Sequence, residues 1–335
     1  MTDVTPKEGK LDYTATIIQT NLPLISQPFP HGDKLFFTAS ATLTPAGNES
    51  SLYVYDLKTK KVTHLATSHL GTDSGQICCL DASDDWLTWL SYDVLSGGNW
   101  RIYARNLQTD EEVILDSEEA ANAPVARSSP AAISGDMAVW SSVWVLEEKS
   151  IRSFIFLYDL KTGKKTVLAE AVTPESVGSV DIDGDLVTWT KGSKAHGKEK
   201  SDVFLYDLQH SRLSQLTNNG RSGQSRIEGN YMVWLEGFQD MSPVVIYDLT
   251  TGAYRRLKAR GSWPRLGDGL VLWSDNAGGS SIYDIRRNVL DTLLQSPHAN
   301  YGSGAQIAHR TVLLTRRPDD QTPEEGWSIE MRTYR

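Results

Sequence analysis

The chain of 335 residues is poor in sulfur, with two cysteines and five methionines. The two cysteines, Cys78 and Cys79, are adjacent. Neighbouring residues on a strand point to opposite faces, so no bridge is expected between them and they read as two soft core residues. A disulfide framework is thereby excluded, and nothing in the sequence demands an oxidising compartment. No run of about 18 apolar residues occurs, so no membrane-spanning helix is expected. The first twenty residues, MTDVTPKEGKLDYTATIIQT, lack the apolar centre of a secretory leader. As read, the protein belongs in the cytoplasm, or in the periplasm or outside the cell if a leader has been removed. Excess positive charge is missing too: 33 basic side chains face 42 acidic ones, for a net charge of −9. General attraction to nucleic acid or to an anionic membrane is therefore not expected. Against these absences stand 10 Trp, 13 Tyr and 26 Gly, a balance that favours strands joined by tight turns over helix bundles.

The strand signal is organised as a repeat. DDWLTW (Asp84 to Trp89), GDMAVW (Gly135 to Trp140), GDLVTW (Gly184 to Trp189), GNYMVW (Gly229 to Trp234) and DGLVLW (Asp268 to Trp273) are copies of one phrase, with weaker copies ending at Phe37 and Leu314. The seven anchors recur every 39 to 52 residues. A second phrase follows, as in IFLYDLKTGKKTVL from Ile155 and VVIYDLTTGAYRRL from Val244, and reads as strand, turn, strand. With a short run before each anchor, every unit holds four strands in about 45 residues, the signature of a propeller blade. The expected fold is an all-β, seven-bladed β-propeller in a single domain, 1–335, with blades near 26–68, 74–117, 128–170, 177–217, 222–258, 262–296 and 303–335. The last unit lacks a fourth strand. The apolar stretch Thr14 to Ile25 is expected to supply it, closing the ring and leaving no open sheet edge. The five repeated Trp read as packing between blades, and the Asp of each YDL phrase as a turn cap.

These phrases, YDLxTG followed by a Leu-terminated strand and preceded by GDxVxW, resemble the TolB-type, WD-repeat-like bacterial propellers, which are related to the propeller domains of prolyl oligopeptidases. The resemblance runs from about Thr14 to Arg335 and implies the fold rather than a function. Neither TolB's leader and N-terminal α/β domain nor the α/β-hydrolase domain of the peptidases is expected from these residues.

Chemistry is harder to read. There is no GxSxG nucleophile elbow, and the seven His form no HxH or HxxxH pair, so no metal site and no cofactor are expected. Aligning the units places Phe29, Cys79, Ala132, Asp181, Arg226, Arg265 and Gln306 at one position of the innermost strand. Charge at such a position suits either a self-satisfied network in a water-filled channel or a polar pocket for an anionic or hydroxyl-rich ligand. Arg127 and Arg221 add positive potential, and Trp144, Trp263 and Tyr301 are expected in loops around the same channel mouth. The lysine-rich stretch 190–202 reads as a solvated loop.

The leading expectation is a monomeric, non-enzymatic scaffold recognising a protein or peptide through Arg127, Trp144, Asp181, Arg221, Arg226, Trp263, Arg265, Tyr301 and Gln306. The alternatives are a glycan-active hydrolase or lyase using channel carboxylates, binding of a small polar ligand, and a purely structural part of a larger protein. Hydrolysis needs two carboxylates, and the aligned position supplies only Asp181.

Overall fold

A computed structural model describes residues 2–22, 24–40, 49–72, 74–121, 123, 125–146, 150–195, 198–237, 241–274, 279–293, 305–316 and 327–335. Three short strands open the chain: β1 (Thr2–Val4), β2 (Lys7–Glu8) and β3 (Tyr13–Gln19). Four-stranded antiparallel repeats follow. The first holds β4 (Ser26–His31), β5 (Lys34–Ser40), β6 (Ser50–Asp56) and β7 (Val62–Thr67). The second holds β8 (Gly75–Ala82), β9 (Trp86–Asp93), β10 (Arg101–Asn106) and β11 (Glu112–Ser117), followed by the helical turn α1 (Glu118–Ala121). In the third, β12 (Val125–Ser128) and β13 (Ala132–Ser134) both pair with β14 (Met137–Val145), ahead of β15 (Ile151–Asp159) and β16 (Lys164–Val172). The fourth is β17 (Glu175–Asp183), β18 (Leu186–Ala195), β19 (Lys198–Asp207) and β20 (Arg212–Gln215). The fifth is β21 (Ser222–Glu228), β22 (Tyr231–Glu236), β23 (Ser242–Asp248) and β24 (Ala253–Gly267). The sixth takes the end of β24 as its first strand and continues in β25 (Leu270–Ser274), β26 (Ser280–Asp284) and β27 (Val289–Leu293), so the fifth and sixth repeats are joined in one sheet. The last is β28 (Gln306–Ala308), β29 (Thr311–Arg316) and β30 (Ser328–Tyr334). Its fourth strand is β3, paired with β30 from Tyr13 opposite Tyr334 to Gln19 opposite Ser328.

Local chemistry explains these elements. The first hairpin of a repeat turns through a left-handed residue, supplied by Gly135, Gly184 and Gly229, where any side chain would be strained. The second hairpin turns at the YDL aspartate: Asp159 Oδ1 accepts the N–H groups of Lys161 and Thr162, and Asp284 Oδ1 those of Arg286 and Arg287. Asn106 serves the same purpose for Gln108 and Thr109. The stretch 190–202, expected as a loop, is mostly strand, because β18 and β19 pair from Leu186 opposite Asp207 to Ala195 opposite Lys198.

The chain divides into two compact units that interleave along the sequence. One comprises Met1–Thr5, Asp81–Leu90 and Gly98–Pro264; the other Pro6–Leu80, Ser91–Gly97 and Arg265–Arg335. In the first unit Val139, Ile155, Val177, Ile182 and Trp189 form a core between the third and fourth sheets, and Val203, Ile227, Met232 and Trp234 one between the fourth and fifth. The short β1 pairs in parallel with β24 at Arg255–Leu257. In the second unit Leu272, Ile282, Ile307 and Val312 fill the space between the sixth and seventh sheets, and Ile18, Leu35, Phe37, Leu313 and Ile329 that between the seventh and first. The anchors Trp89, Trp140, Trp189, Trp234 and Trp273 are all buried.

One expectation about the cysteines is corrected. Cys78 and Cys79 form a disulfide. Cys79 adopts φ +64°, which takes its side chain off the strand's alternation and brings both sulfurs together. Among the described residues no helix is long and apolar enough to cross a membrane.

Candidate active site

The first strand of several repeats carries a bulge built the same way. Gln27, Cys79, Ser179, Gln224 and Trp263 all have φ between +50° and +64°, and the ladder register slips just there in β4, β17 and β21. The next residue (Pro28, Leu80, Val180, Ser225, Pro264) is buried. The one after it (Phe29, Asp81, Asp181, Arg226, Arg265) is half-buried and stands eight residues before the anchor.

This register corrects the sequence alignment. Cys79 belongs with the left-handed residues, and the residue of the second repeat equivalent to Asp181 is Asp81. A spacing of eight residues to Trp89 would have found it.

Asp81, Asp181 and Arg226 all belong to the first unit. Asp81 Oδ2 accepts the Ile133 N–H at 2.9 Å and its Oδ1 the Ala82 N–H at 2.9 Å. Asp181 Oδ2 accepts the Ile227 N–H, also at 2.9 Å. Each carboxylate thus ties the first strand of its own repeat to the first strand of the next. Both keep some contact with solvent yet are enclosed by protein. Loss of hydration is the main cause that pushes the Asp81 carboxyl up to about 7, with the negative charge of Asp181 adding to it. The N–H groups of Ile133 and Ala82 and the Arg226 guanidinium pull the other way. Asp181 is raised for the same leading reason and is opposed first by Arg226. Arg226 Nη1 donates to the Ser225 carbonyl at 2.8 Å, which fixes the guanidinium against its own strand. Two carboxyls held above their ordinary range and one permanent cation therefore share one electrostatic environment, a combination suited to proton transfer beside an anionic substrate.

The other residues singled out from the sequence divide. Trp144 lies in β14 rather than in a loop, its ring 4.4 Å from that of Phe154, so it packs against its own sheet. Trp263 is likewise part of a strand, β24, but is 63% exposed, and its backbone N–H donates to Gln224 Oε1 at 3.1 Å. Arg221 is exposed and faces Glu236 at 3.5 Å. Arg127 is exposed on β12, opposite Val143. Arg265 and Gln306 are half-buried in the second unit, and Tyr301 lies outside the described residues. Among the described residues, no group of three His, Cys, Asp or Glu is placed to hold a metal ion.

No protein-family model matches this chain, and no curated protein sequence is similar to it. Solved structures are similar in fold. The propeller domain of the trilobed protease from Pyrococcus furiosus superposes with a TM-score of 0.61 at 10% identity, over 92% of this chain and 95% of that one. Oligogalacturonate lyase from Vibrio parahaemolyticus gives 0.58 at 12% identity, over 98% of each chain. Pyrococcus horikoshii acylaminoacyl peptidase gives 0.59 at 9% identity, over 90% of this chain but only 50% of its own. The fold is thus that of a β-propeller. The expectation of a non-enzymatic scaffold for a protein or peptide rested on a propeller without a legible catalytic set, and it is overturned. A lyase matches this chain end to end in fold, peptidases share that fold, and the second carboxylate has been found.

Proposed function

We propose that the protein is a glycan-active enzyme that cleaves acidic oligosaccharides by elimination, working from Asp81, Asp181 and Arg226. The observation that carries this reading is the pair of raised carboxyls sharing one guanidinium. Elimination needs one base of near-neutral pKa and one fixed cation. The Asp81 carboxylate removes the proton from the carbon next to the uronate carboxyl. Arg226 faces that carboxyl and offsets the charge that grows on it. The electron pair left behind forms the ring double bond as the glycosidic C–O bond breaks, and the departing oxygen takes up a proton. Asp181 keeps Asp81 basic through its negative charge. The full-length similarity in fold to oligogalacturonate lyase supports a uronate substrate.

Seven blades, a ring closed by β3 and kinship with TolB-type propellers belong to the same proposal, as does a monomeric state. Incubation with oligogalacturonates is expected to release products with an unsaturated uronate end, seen by ultraviolet absorbance. Asp81→Asn should lower the rate by about 10²–10⁴-fold with the fold retained. New reducing ends without unsaturation would replace elimination by hydrolysis, and no cleavage of any uronate oligosaccharide would overturn the reading.

A further inference from the structure

Trp263 is at odds with its surroundings. Of the ten tryptophans, seven are buried, Trp144 and Trp327 are half-buried, and Trp263 alone is exposed, at 63%. It also sits at φ +54°, a backbone region that bulky side chains rarely enter. The equivalent left-handed residues of other repeats are Gln27, Cys79, Ser179 and Gln224, all smaller and all half-buried. Burial therefore does not offset the backbone strain at Trp263. Strain held at an exposed aromatic, in a place where a small or polar residue serves elsewhere, is the pattern of a ligand clamp.

Two further observations show where it would act. The Trp263 backbone N–H is held by Gln224 Oε1 at 3.1 Å, and the following Pro264 is buried, so the backbone that carries the indole is fixed. Gln224 lies two residues before Arg226 on β21, which places Trp263 one hydrogen-bonding side chain from the strand that carries the cation. All three residues belong to the first unit.

We propose that Trp263 is a sugar-stacking platform, taking the apolar face of a pyranose ring next to the one handled by Asp81 and Arg226. It rests on the glycan reading above. The C–H groups on one face of a pyranose suit the broad, electron-rich indole face, and an indole with few torsions loses little entropy in holding it. Stacking of this kind does not need the uronate charge, so it contributes affinity for neutral and acidic sugars alike.

The test is calorimetric titration of tetragalacturonate and of the neutral cellotetraose, in an Asp81→Asn background that slows turnover, with and without Trp263→Ala or Trp263→Tyr. The expected result is Kd weakened about tenfold for both sugars by Trp263→Ala and largely restored by Trp263→Tyr, with the melting temperature unchanged. Unchanged affinity in Trp263→Ala would overturn the platform and leave the enzyme reading standing, as would a marked fall in melting temperature, which would make Trp263 structural. Binding of cellotetraose alone, lost in Trp263→Ala, would support the platform and remove the acidic-substrate reading. Binding of neither sugar would overturn both.

Discussion

At the scale of the residue, Asp81 carries the most consequence. Its carboxyl is raised from 3.8 to about 7 in the folded chain. A folded state that holds the proton more tightly than the unfolded state is most stable where both are protonated, below about pH 4. Stability is then lost as pH climbs from about 4 to about 7, and stays level above that. Three pKa units correspond to about 4 kcal/mol as an order of magnitude. Asp81→Asn removes the titration, although the amide can accept only one of the two backbone N–H groups that the carboxylate accepts. The variant should therefore lose ground against the wild type near pH 4 and gain it near pH 8, measured as the difference in unfolding free energy by denaturant titration at the two pH values. A difference that stays constant across this range would show that burial does not raise this carboxyl. The residue was within reach of the sequence, since a count of eight from the anchor Trp89 lands on it. The left-handed positions were not legible in the same way. Gln27, Ser179, Gln224 and Trp263 meet a conformational demand that glycine usually advertises, and no glycine stands at any of them.

At the scale of the element, the alternation of strands made most of the architecture readable. The anchor phrases become the second strand of each repeat and the YDL phrases the third, because a period of two with a turn residue at each end leaves few alternatives. The errors came where strands run longer than the repeat suggests. Val143, Trp144 and Val145 extend β14 beyond its anchor, and β24 continues through Trp263 for 15 residues in all. Two aromatics expected in loops were therefore placed on sheets. The strand β3 offers a direct check of how much an element's inner face is worth. Ile18 is 3% exposed within the core shared by the seventh and first sheets, whereas Ile17, on the opposite face, is 44% exposed. Ile18→Ala should cost about 2–5 kcal/mol through lost burial and the cavity left behind. Ile17→Ala should stay within about 0.5 kcal/mol. Equal effects in chemical denaturation would mean that β3 does not dock on β30 in the register that pairs Ile18 with Ile329.

At the scale of the whole molecule, length, repeat and structure pull in different directions. A length of 335 residues suggests about two domains, the repeat suggests one, and the fold contains two compact units that no single cut of the chain can separate. Each unit is assembled from three segments, and the strands β8, β9 and β24 each begin in one unit and end in the other. Unfolding one unit therefore takes away part of a strand that the other uses, and an interrupted strand loses ladder hydrogen bonds that its neighbours cannot replace. This wiring predicts one cooperative thermal transition, with calorimetric and van't Hoff enthalpies in agreement, instead of the two transitions expected of domains joined end to end. The prediction is checked by differential scanning calorimetry at two scan rates, with Asp81→Asn alongside. Because Asp81 opens a segment of the first unit, a change in its stability should move the entire transition if the units are coupled, and only one part of it if they are not. Two resolved peaks, of which the substitution shifts one, would establish the units as separately folding bodies despite their interleaved sequence.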